Sequence, residues 1–217
     1  SFYPGSGYDF YVSDNYAVYG YNLGDTIVTK LMSYVDSDID VWQINNIIPI
    51  SDTEFYGSYS SASDWQDGVS KFTKVDPKDV KERQVITLAM ASTDWTVKSR
   101  VIEFNKKNDT YRISLIDYSS ESGEYEEGIS RMNTDIVSGK VPDIILLDDS
   151  MPTDSYISKG LFADLLPIIE KDEEIDRNDL MPNVMEAFSR DGKLYRLIPS
   201  YSIRTIVAKT SDVGEER

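Results

Sequence analysis

The sequence predicts an α/β protein in which an N-terminal antiparallel β-meander precedes a mostly parallel, incomplete sheet. Residues 1–75 lack a helical period and consist of short Tyr-, Ile- and Val-rich runs between turn signals. Residues 84–217 instead alternate continuous apolar runs with stripes of helical period, which is typical of a parallel sheet with crossover helices. A charged, proline-containing stretch at 76–83 separates the two patterns. We therefore expect a β domain at 1–75, a linker at 76–83 and a second domain at 84–217.

The predicted β domain consists of aromatic and β-branched runs between turn signals such as Gly5-Ser6-Gly7. Its predicted strands are Tyr8–Val12, Tyr16–Asn22, Thr26–Val35, Ile44–Ser51, Glu54–Ser60 and Val69–Val75. A meander of this length matches one or two blades of a β-propeller, so we expect a propeller-like region.

The second domain begins with a β-α-β-α-β pattern. Apolar runs, as in strands buried on both faces, predict strands at Val85–Ala91 and Ile144–Leu147, and Arg112–Tyr118 is the second strand between them. Residues at i, i+3, i+4 and i+7 spacing predict two helices, one carrying Val97, Val101 and Phe104 and the other Tyr125, Ile129, Met132 and Ile136. Further along we expect a short helix at Tyr156–Ser158, a helix carrying Leu180, Val184, Ala187 and Phe188, a turn at Asp191-Gly192, and strands at Leu194–Ile198 and Thr205–Ala208.

Composition removes several classes of function. The 217 residues include no cysteine and no histidine, which excludes Ser-His-Asp and Cys-His catalysis, thiol redox chemistry and Cys/His zinc sites. The net charge of −16 disfavours binding to nucleic-acid phosphates or anionic lipids. Asp36-Ser37-Asp38 begins like a calcium loop, but Val41 replaces the required glycine, so no metal or cofactor is predicted.

Residues 84–209 contain an ordered set of short segments. They are Ile86–Ala89, Val101–Asn108, Tyr111–Ile113, Asp117-Tyr118, Asp135–Ile144, Lys159–Leu165 and Gly192–Pro199. The most specific is a helix ending at Ser138-Gly139-Lys140 just before Pro142-Asp143-Ile144. Taken in this order, the segments resemble the N-terminal lobe of bacterial extracellular solute-binding proteins of the carbohydrate-importer type. Residues 1–83 look like the tail of a propeller-like region fused ahead of some members in Gram-positive bacteria.

The resemblance implies a periplasmic-binding-protein-like lobe and a non-catalytic function, the capture of a sugar or oligosaccharide for an ABC importer. The partners it implies are a small-molecule ligand and the importer's permease subunits. It further implies an extracytoplasmic lipoprotein on the cell surface, with a lipid anchor outside this chain. Thr205–Ala208 matches the strand after which family chains cross into their second lobe, so we expect that lobe to lie beyond Arg217.

The resemblance places the ligand in a cleft, beyond the carboxyl ends of the strands. The residues expected to bind it are Thr93, Asp94, Trp95, Asp117, Tyr118, Asp148, Asp149 and Tyr201. Carboxylates would accept hydrogen bonds from sugar hydroxyls, and the aromatic rings would stack on a pyranose face. Alternative roles stay open: Thr93 or Asp94 is also suited to cap a helix, Trp95 to ordinary packing, and the acidic pairs to solvated turns.

Two other functions remain possible on the sequence. A cell-surface carbohydrate-binding or adhesion protein without a role in transport needs the same binding chemistry. A glycosidase needs two carboxylates across one glycosidic bond, and Asp94, Asp117 and Asp148 are the candidates, although the chain shows no glycosidase pattern. Because a fold does not determine function, neither is excluded by the α/β pattern.

Overall fold

A computed structural model describes residues 1–4, 6–60, 67–119, 125–175 and 180–198 of the chain. The chain is mixed α/β, with antiparallel meanders and a small parallel sheet. It divides into two compact units, Ser1–Asp149 and Ser150–Arg217. Both the predicted β domain and the parallel sheet fall within the first unit, and the predicted linker at 76–83 stays a prediction.

The N-terminal region forms two antiparallel sheets with sequential strand order. The four strands of the first sheet are β1 (Phe2–Pro4), β2 (Phe10–Ser13), β3 (Ala17–Tyr21) and β4 (Thr29–Ser33). The three strands of the second are β5 (Ile44–Pro49), β6 (Glu54–Ser60) and β7 (Asp67–Thr73). A single 3-10 turn at Val41–Gln43 leads into β5.

One apolar core serves both antiparallel sheets. Val18 of the first sheet packs in the same buried cluster as Ile47 and Phe55 of the second, together with Tyr34 and Ile39 of the connecting segment. The alternation of strand side chains puts these residues on the inner faces. Since this cluster contains residues of both sheets, we expect the sheets to fold together.

The parallel sheet has the strand order β10-β8-β9. Its elements are β8 (Gln84–Met90), helix α1 (Trp95–Lys107), β9 (Tyr111–Asp117), helix α2 (Tyr125–Val137) and β10 (Ile144–Ile145). The chain crosses from β8 to β9 on one side and returns to place β10 on the other side of β8. The edge beyond the carboxyl ends of β8 and β10 is therefore a topological switch point, the position at which open α/β sheets bind their ligands.

Hydrogen bonds from two polar side chains hold this sheet together where its apolar runs are short. The Asp143 carboxylate accepts hydrogen bonds from the backbone N–H (2.8 Å) and the hydroxyl (2.7 Å) of Thr87, which anchors the chain just before β10 on β8. Buried Asn105 of α1 donates to the carbonyl of Ile113 at 2.9 Å and accepts from its N–H at 2.8 Å. Asn105 thus acts toward β9 as an extra strand partner would.

Arg112 of β9 connects the parallel sheet to the N-terminal region. One guanidinium nitrogen donates to the Asp38 carboxylate at 2.7 Å and the other to the carbonyl of Asp36 at 2.7 Å. Asp38 has a left-handed φ of 56°, which aspartate tolerates better than most residues, and the ion pair holds it there. Two donors in fixed geometry make this a directional contact.

Within residues 150–175 and 180–198, the second unit forms three short helices and one hairpin. The helices are α3 (Thr153–Ser158), α4 (Leu166–Ile169) and α5 (Pro182–Phe188), and the hairpin pairs β11 (Ser189–Arg190) with β12 (Lys193–Leu194). Asp191 and Gly192 both have positive φ, as a two-residue type I′ hairpin turn requires. Asp164 accepts hydrogen bonds from the N–H groups of Leu166 and Leu194, which ties α4 to the hairpin.

The structure confirms most of the predicted elements and corrects others. Each predicted strand of the β domain overlaps an observed one: Glu54–Ser60 agrees at both ends, Val69–Val75 is shifted to Asp67–Thr73, and β1 was not predicted. Both long helices and the turn at Asp191-Gly192 are present. Leu194–Ile198 was wrongly predicted as one strand: only Lys193–Leu194 is extended and paired, because the tight turn pairs it back to β11. Thr205–Ala208 lies outside the described residues.

The expectation that the first strand is buried on both faces is also wrong in part. Ala89 and Met90 are fully buried, but Val85 is 60% exposed. β10 pairs only with Leu88 and Ala89, so among the described residues the first half of β8 has a strand neighbour on one side only.

Replacement of Asn105 tests the contribution of its two hydrogen bonds to Ile113, which join α1 to β9. Asn105→Ala should lower the free energy of unfolding by about 1–3 kcal/mol, because it leaves the part-buried backbone N–H and C=O of Ile113 without these partners. Urea denaturation measures the change. The exposed Lys106→Ala on the same helix is the control, with an expected change within about 0.5 kcal/mol. Equal effects of the two changes would contradict this role for Asn105.

Candidate ligand-binding site

The loops that follow the three parallel strands meet at one edge of the sheet. Asp117 is paired with Met90, and the next residue, Tyr118, donates its N–H to the Met90 carbonyl at 3.1 Å. On the other side, the N–H of Leu146 donates to the carbonyl of Ala89 at 2.8 Å. Because β8 is central, the segment after it lies between the ends of β9 and β10.

Asp117 is the centre of a hydrogen-bond network at this edge. One carboxylate oxygen accepts from the Thr93 hydroxyl at 2.6 Å and from the Lys98 ammonium at 2.9 Å. The other accepts from the Ser119 hydroxyl at 2.8 Å and from the Ser119 N–H at 3.1 Å. Four donors match the four lone-pair positions of a carboxylate, so a ligand must displace one of them to reach these oxygens.

The ion pair between Lys98 and Asp117 is buried, with side chains only 6% and 9% exposed. Burial disfavours the ionised carboxylate, but the donors from Thr93, Lys98 and Ser119 outweigh it and hold the pKa of Asp117 below its ordinary value. The ammonium also lies 4.7 Å from the ring centres of both Tyr16 and Trp95. These rings provide a cation–π environment that partly replaces the lost hydration.

Asp94 and Trp95 begin helix α1. The Asp94 carboxylate accepts from the N–H of Val97 at 3.0 Å, so it is the N-cap of the helix. Trp95 packs between two aromatic residues of the N-terminal region, with its ring centre 5.6 Å from those of Tyr16 and of Trp42. The alternative roles of capping and packing are therefore present at these two residues, and binding by either one stays a prediction.

Tyr118 turns away from the ligand edge toward helix α2. Its side chain is buried, and its hydroxyl donates to the Asp135 carboxylate at 3.0 Å. Burial, followed by this hydrogen bond to a carboxylate, raises the pKa of Tyr118 to about 12. The phenol is therefore neutral at physiological pH and is used to position α2.

Asp148 and Asp149 follow β10 and are exposed. Ile145 is paired with Ala89, so these acidic residues lie three and four positions beyond the paired strand, at the same edge as Thr93 and Asp117. Exposed carboxylates at a switch point are accessible acceptors for a polar ligand. The eighth predicted residue, Tyr201, lies outside the described residues.

Of the predicted residues, Thr93 and Asp117 are in direct contact. Trp95 packs against Tyr16 and Trp42 of the N-terminal region, and Tyr118 donates a hydrogen bond to Asp135 of α2. Sequence reasoning missed Lys98, Ser119, Tyr16 and Trp42. The sequence pattern does point to Lys98, because it lies four and seven positions before Ile102 and Asn105, on the buried face of α1. No local sequence pattern points to Tyr16 or Trp42, since only the tertiary fold brings them to α1.

The described part of the chain contains no cluster of three or more acidic side chains that could hold a metal ion. None of its helices combines the length and the apolar character needed to span a bilayer. Comparison of the chain with protein-family models, curated proteins and solved structures finds no match.

Removal of the Asp117 charge should destabilise the protein strongly. Asp117→Asn leaves the Lys98 ammonium buried without its counter-ion, and we expect the free energy of unfolding at pH 7 to fall by about 3 kcal/mol. The double change Lys98→Met with Asp117→Asn removes both charges and should recover most of this loss. Urea denaturation of the three proteins gives the comparison, and a double variant no more stable than Asp117→Asn would contradict the ion-pair argument.

The lowered pKa of Asp117 also predicts how the stability of the protein depends on pH. Because the pKa of Asp117 is lower in the folded than in the unfolded protein, its stabilising contribution is complete above the unfolded-state value of about 3.9 and is lost as pH falls through the folded-state value. Thermal unfolding measured from pH 7 down to pH 2.5 should show a smaller acid-induced decrease in Asp117→Asn than in the unmodified chain. Parallel profiles of the two proteins would refute the assignment.

Proposed function

We propose that the chain belongs to an extracytoplasmic solute-binding protein, a relative of periplasmic binding proteins, that captures a sugar or oligosaccharide for an ABC importer. The observation that supports the proposal is the strand order β9-β8-β10, which gives a topological switch point between the ends of β8 and β10. In the proposal, the ligand lies in a crevice between the segments that follow these two strands. In open α/β sheets, the position where successive crossovers go to opposite sides is where ligands bind.

The residues at this crevice suit a polar, uncharged ligand. Asp148 and Asp149 offer exposed carboxylate oxygens on one side, and the segment from Ser92 to Asp94 offers hydroxyl and carboxylate groups on the other. Sugar hydroxyls donate to carboxylates and exchange hydrogen bonds with hydroxyl groups. In this arrangement Asp117 positions Thr93 and Lys98, and the accessible groups of the neighbouring loops contact the ligand.

Capture would follow from closure of two lobes around the ligand. In the proposal, a second lobe encoded after residue 217 closes over the crevice by hinge bending, and the permease subunits recognise the closed form. No covalent chemistry is needed, since release follows from reopening. Attachment to the cell surface through a lipid anchor outside this chain would keep the ligand near the permease.

The proposal is tested on the native polypeptide that contains this chain. Its mass should be far above the 24.6 kDa of these residues, with a second α/β lobe following residue 217. Calorimetry against a panel of neutral mono- and oligosaccharides should identify a ligand, and small-angle scattering should show a more compact protein when that ligand is bound. A native chain that ends near residue 217, or one that binds saccharide without compaction, would favour a binding module without a role in transport.

The site within the crevice is tested by a matched pair of charge-neutralising changes. Asp148→Asn should weaken binding of the identified saccharide about tenfold or more, because a carboxylate acceptor is lost from the crevice. Asp109→Asn removes the same charge from a side chain that is 90% exposed just before β9, at the opposite edge of the sheet, and should leave affinity unchanged. Equal affinities of the two variants would refute the crevice as the binding site.

A further inference from the structure

A groove of about 750 Å³ lies between the N-terminal region and helix α1. One wall is the 3-10 turn at Val41–Gln43, and the other is the outer side of α1 from Trp95 to Lys106. This volume lies within the range of pockets that hold small-molecule ligands. Both walls belong to the unit Ser1–Asp149, so the groove is complete within these residues.

Trp42 forms an exposed aromatic surface in this groove. Its side chain is 67% exposed, although it is the largest apolar side chain in that segment. The indole meets Trp95 edge to face, at 84° and 5.6 Å between ring centres. The Asp40 carboxylate accepts a hydrogen bond from the backbone N–H of Trp42 at 3.1 Å and fixes the backbone that carries the indole. A ligand can therefore stack on the ring without first ordering the loop.

Unused hydrogen-bond groups surround this aromatic surface. Among the described residues, the side chains of Gln43, Thr96 and Ser99 make no hydrogen bonds to the protein, and all three line the groove. Two acidic and two basic side chains also line it, Asp40 and Glu103 against Arg100 and Lys106, so their formal charges cancel. The lining therefore offers donors and acceptors without a net charge.

We propose that this groove is a saccharide-binding site, separate from the crevice of the parallel sheet, with Trp42 as its stacking surface. A pyranose ring presents an apolar C–H face to an indole and hydroxyl groups around its rim. Seven of the ten lining residues have polar or charged side chains, which favours a polyhydroxylated ligand over a lipid or a proline-rich peptide. Cancellation of charge favours a neutral sugar over an acidic one.

The groove leads away from the crevice. Helix α1 begins at the carboxyl edge of the sheet and runs back toward the amino edge, and Ser99, Glu103 and Lys106 follow one another along it at helical spacing. Trp95 lines the groove and directly follows the Ser92–Asp94 segment in the chain, whereas Trp42 and Gln43 belong to the N-terminal wall of the groove. The inference does not require transport or a second lobe, so its failure and that of the proposed importer function are distinguishable.

The test uses residues 1–217 and an array of neutral gluco-, galacto-, manno- and xylo-oligosaccharides, followed by calorimetry with the best binder. Binding should quench and shift tryptophan fluorescence. Trp42→Ala should weaken binding at least about tenfold, as removal of a central aromatic contact does. Tyr56→Ala, which removes another partly exposed aromatic residue from β6 of the same region, should leave the affinity unchanged. Circular dichroism should show both variants folded, because neither ring is buried.

Each outcome decides the question. Loss of affinity in Trp42→Ala, together with a smaller loss in Gln43→Ala and none in Asp148→Asn, supports a groove site distinct from the crevice. Absence of binding to every oligosaccharide on the array overturns the proposal, as does full affinity in Trp42→Ala. Binding of a proline-rich peptide that competes with no saccharide would overturn the ligand class.

Discussion

The buried ion pair between Lys98 and Asp117 is the contact on which the rest of the first unit depends. Two charges removed from water are costly unless their remaining hydrogen-bond positions are filled. Here Thr93 and Ser119 complete the carboxylate, and the rings of Tyr16 and Trp95 enclose the ammonium. Because these partners come from β9, α1, the loop after β8 and the N-terminal region, the pair is satisfied only when all of them are in place. It therefore specifies one arrangement of those elements as well as contributing to stability.

Because the ion pair needs Tyr16, the N-terminal region takes part in the packing of the parallel sheet and α1 and is not only joined to them by the chain. Tyr16 and Trp42 approach the start of α1 from one side, and Arg112 binds the backbone and carboxylate of the Asp36–Asp38 segment from the start of β9. The two groups of contacts involve opposite ends of the parallel strands, which leaves the joined regions little freedom to pivot. A rigid neighbour of this kind is well placed to form the wall of a groove, since its side chains do not need to be ordered when a ligand binds.

Local patterns in the sequence predict the helices and strands well. The residues of the site are predicted less well, because tertiary contacts determine which of them come together. The runs around Ile86, Ile113 and Met132 predict strands and helices because their periods are local properties, and Asp191-Gly192 predicts its hairpin turn by the same logic. The site is harder, since a residue such as Asp94 has the same local pattern whether it caps a helix or binds a ligand. The capping bond to Val97 shows one use without excluding the other. Tyr16 and Trp42 lie about 50 to 80 residues from Trp95 in the chain, and no period connects positions so far apart.

Trp95 lines the groove and directly follows the segment at the end of β8, which raises the question of whether ligands at the two proposed sites would affect each other. Coupling requires an element with two arrangements that both ligands bias. A rotation of Trp95 would remove one of the two rings over Lys98, a cation–π contact worth about 0.5–2 kcal/mol, together with its packing against Tyr16 and Trp42. Binding of a sugar with micromolar to millimolar affinity supplies about 4–8 kcal/mol in total, so a rearrangement of this cost would use a substantial part of it. The structure therefore favours independent binding: a saccharide in the groove should leave the affinity of the crevice unchanged, and a shift of more than about threefold would show that the ion pair is less rigid than its contacts indicate.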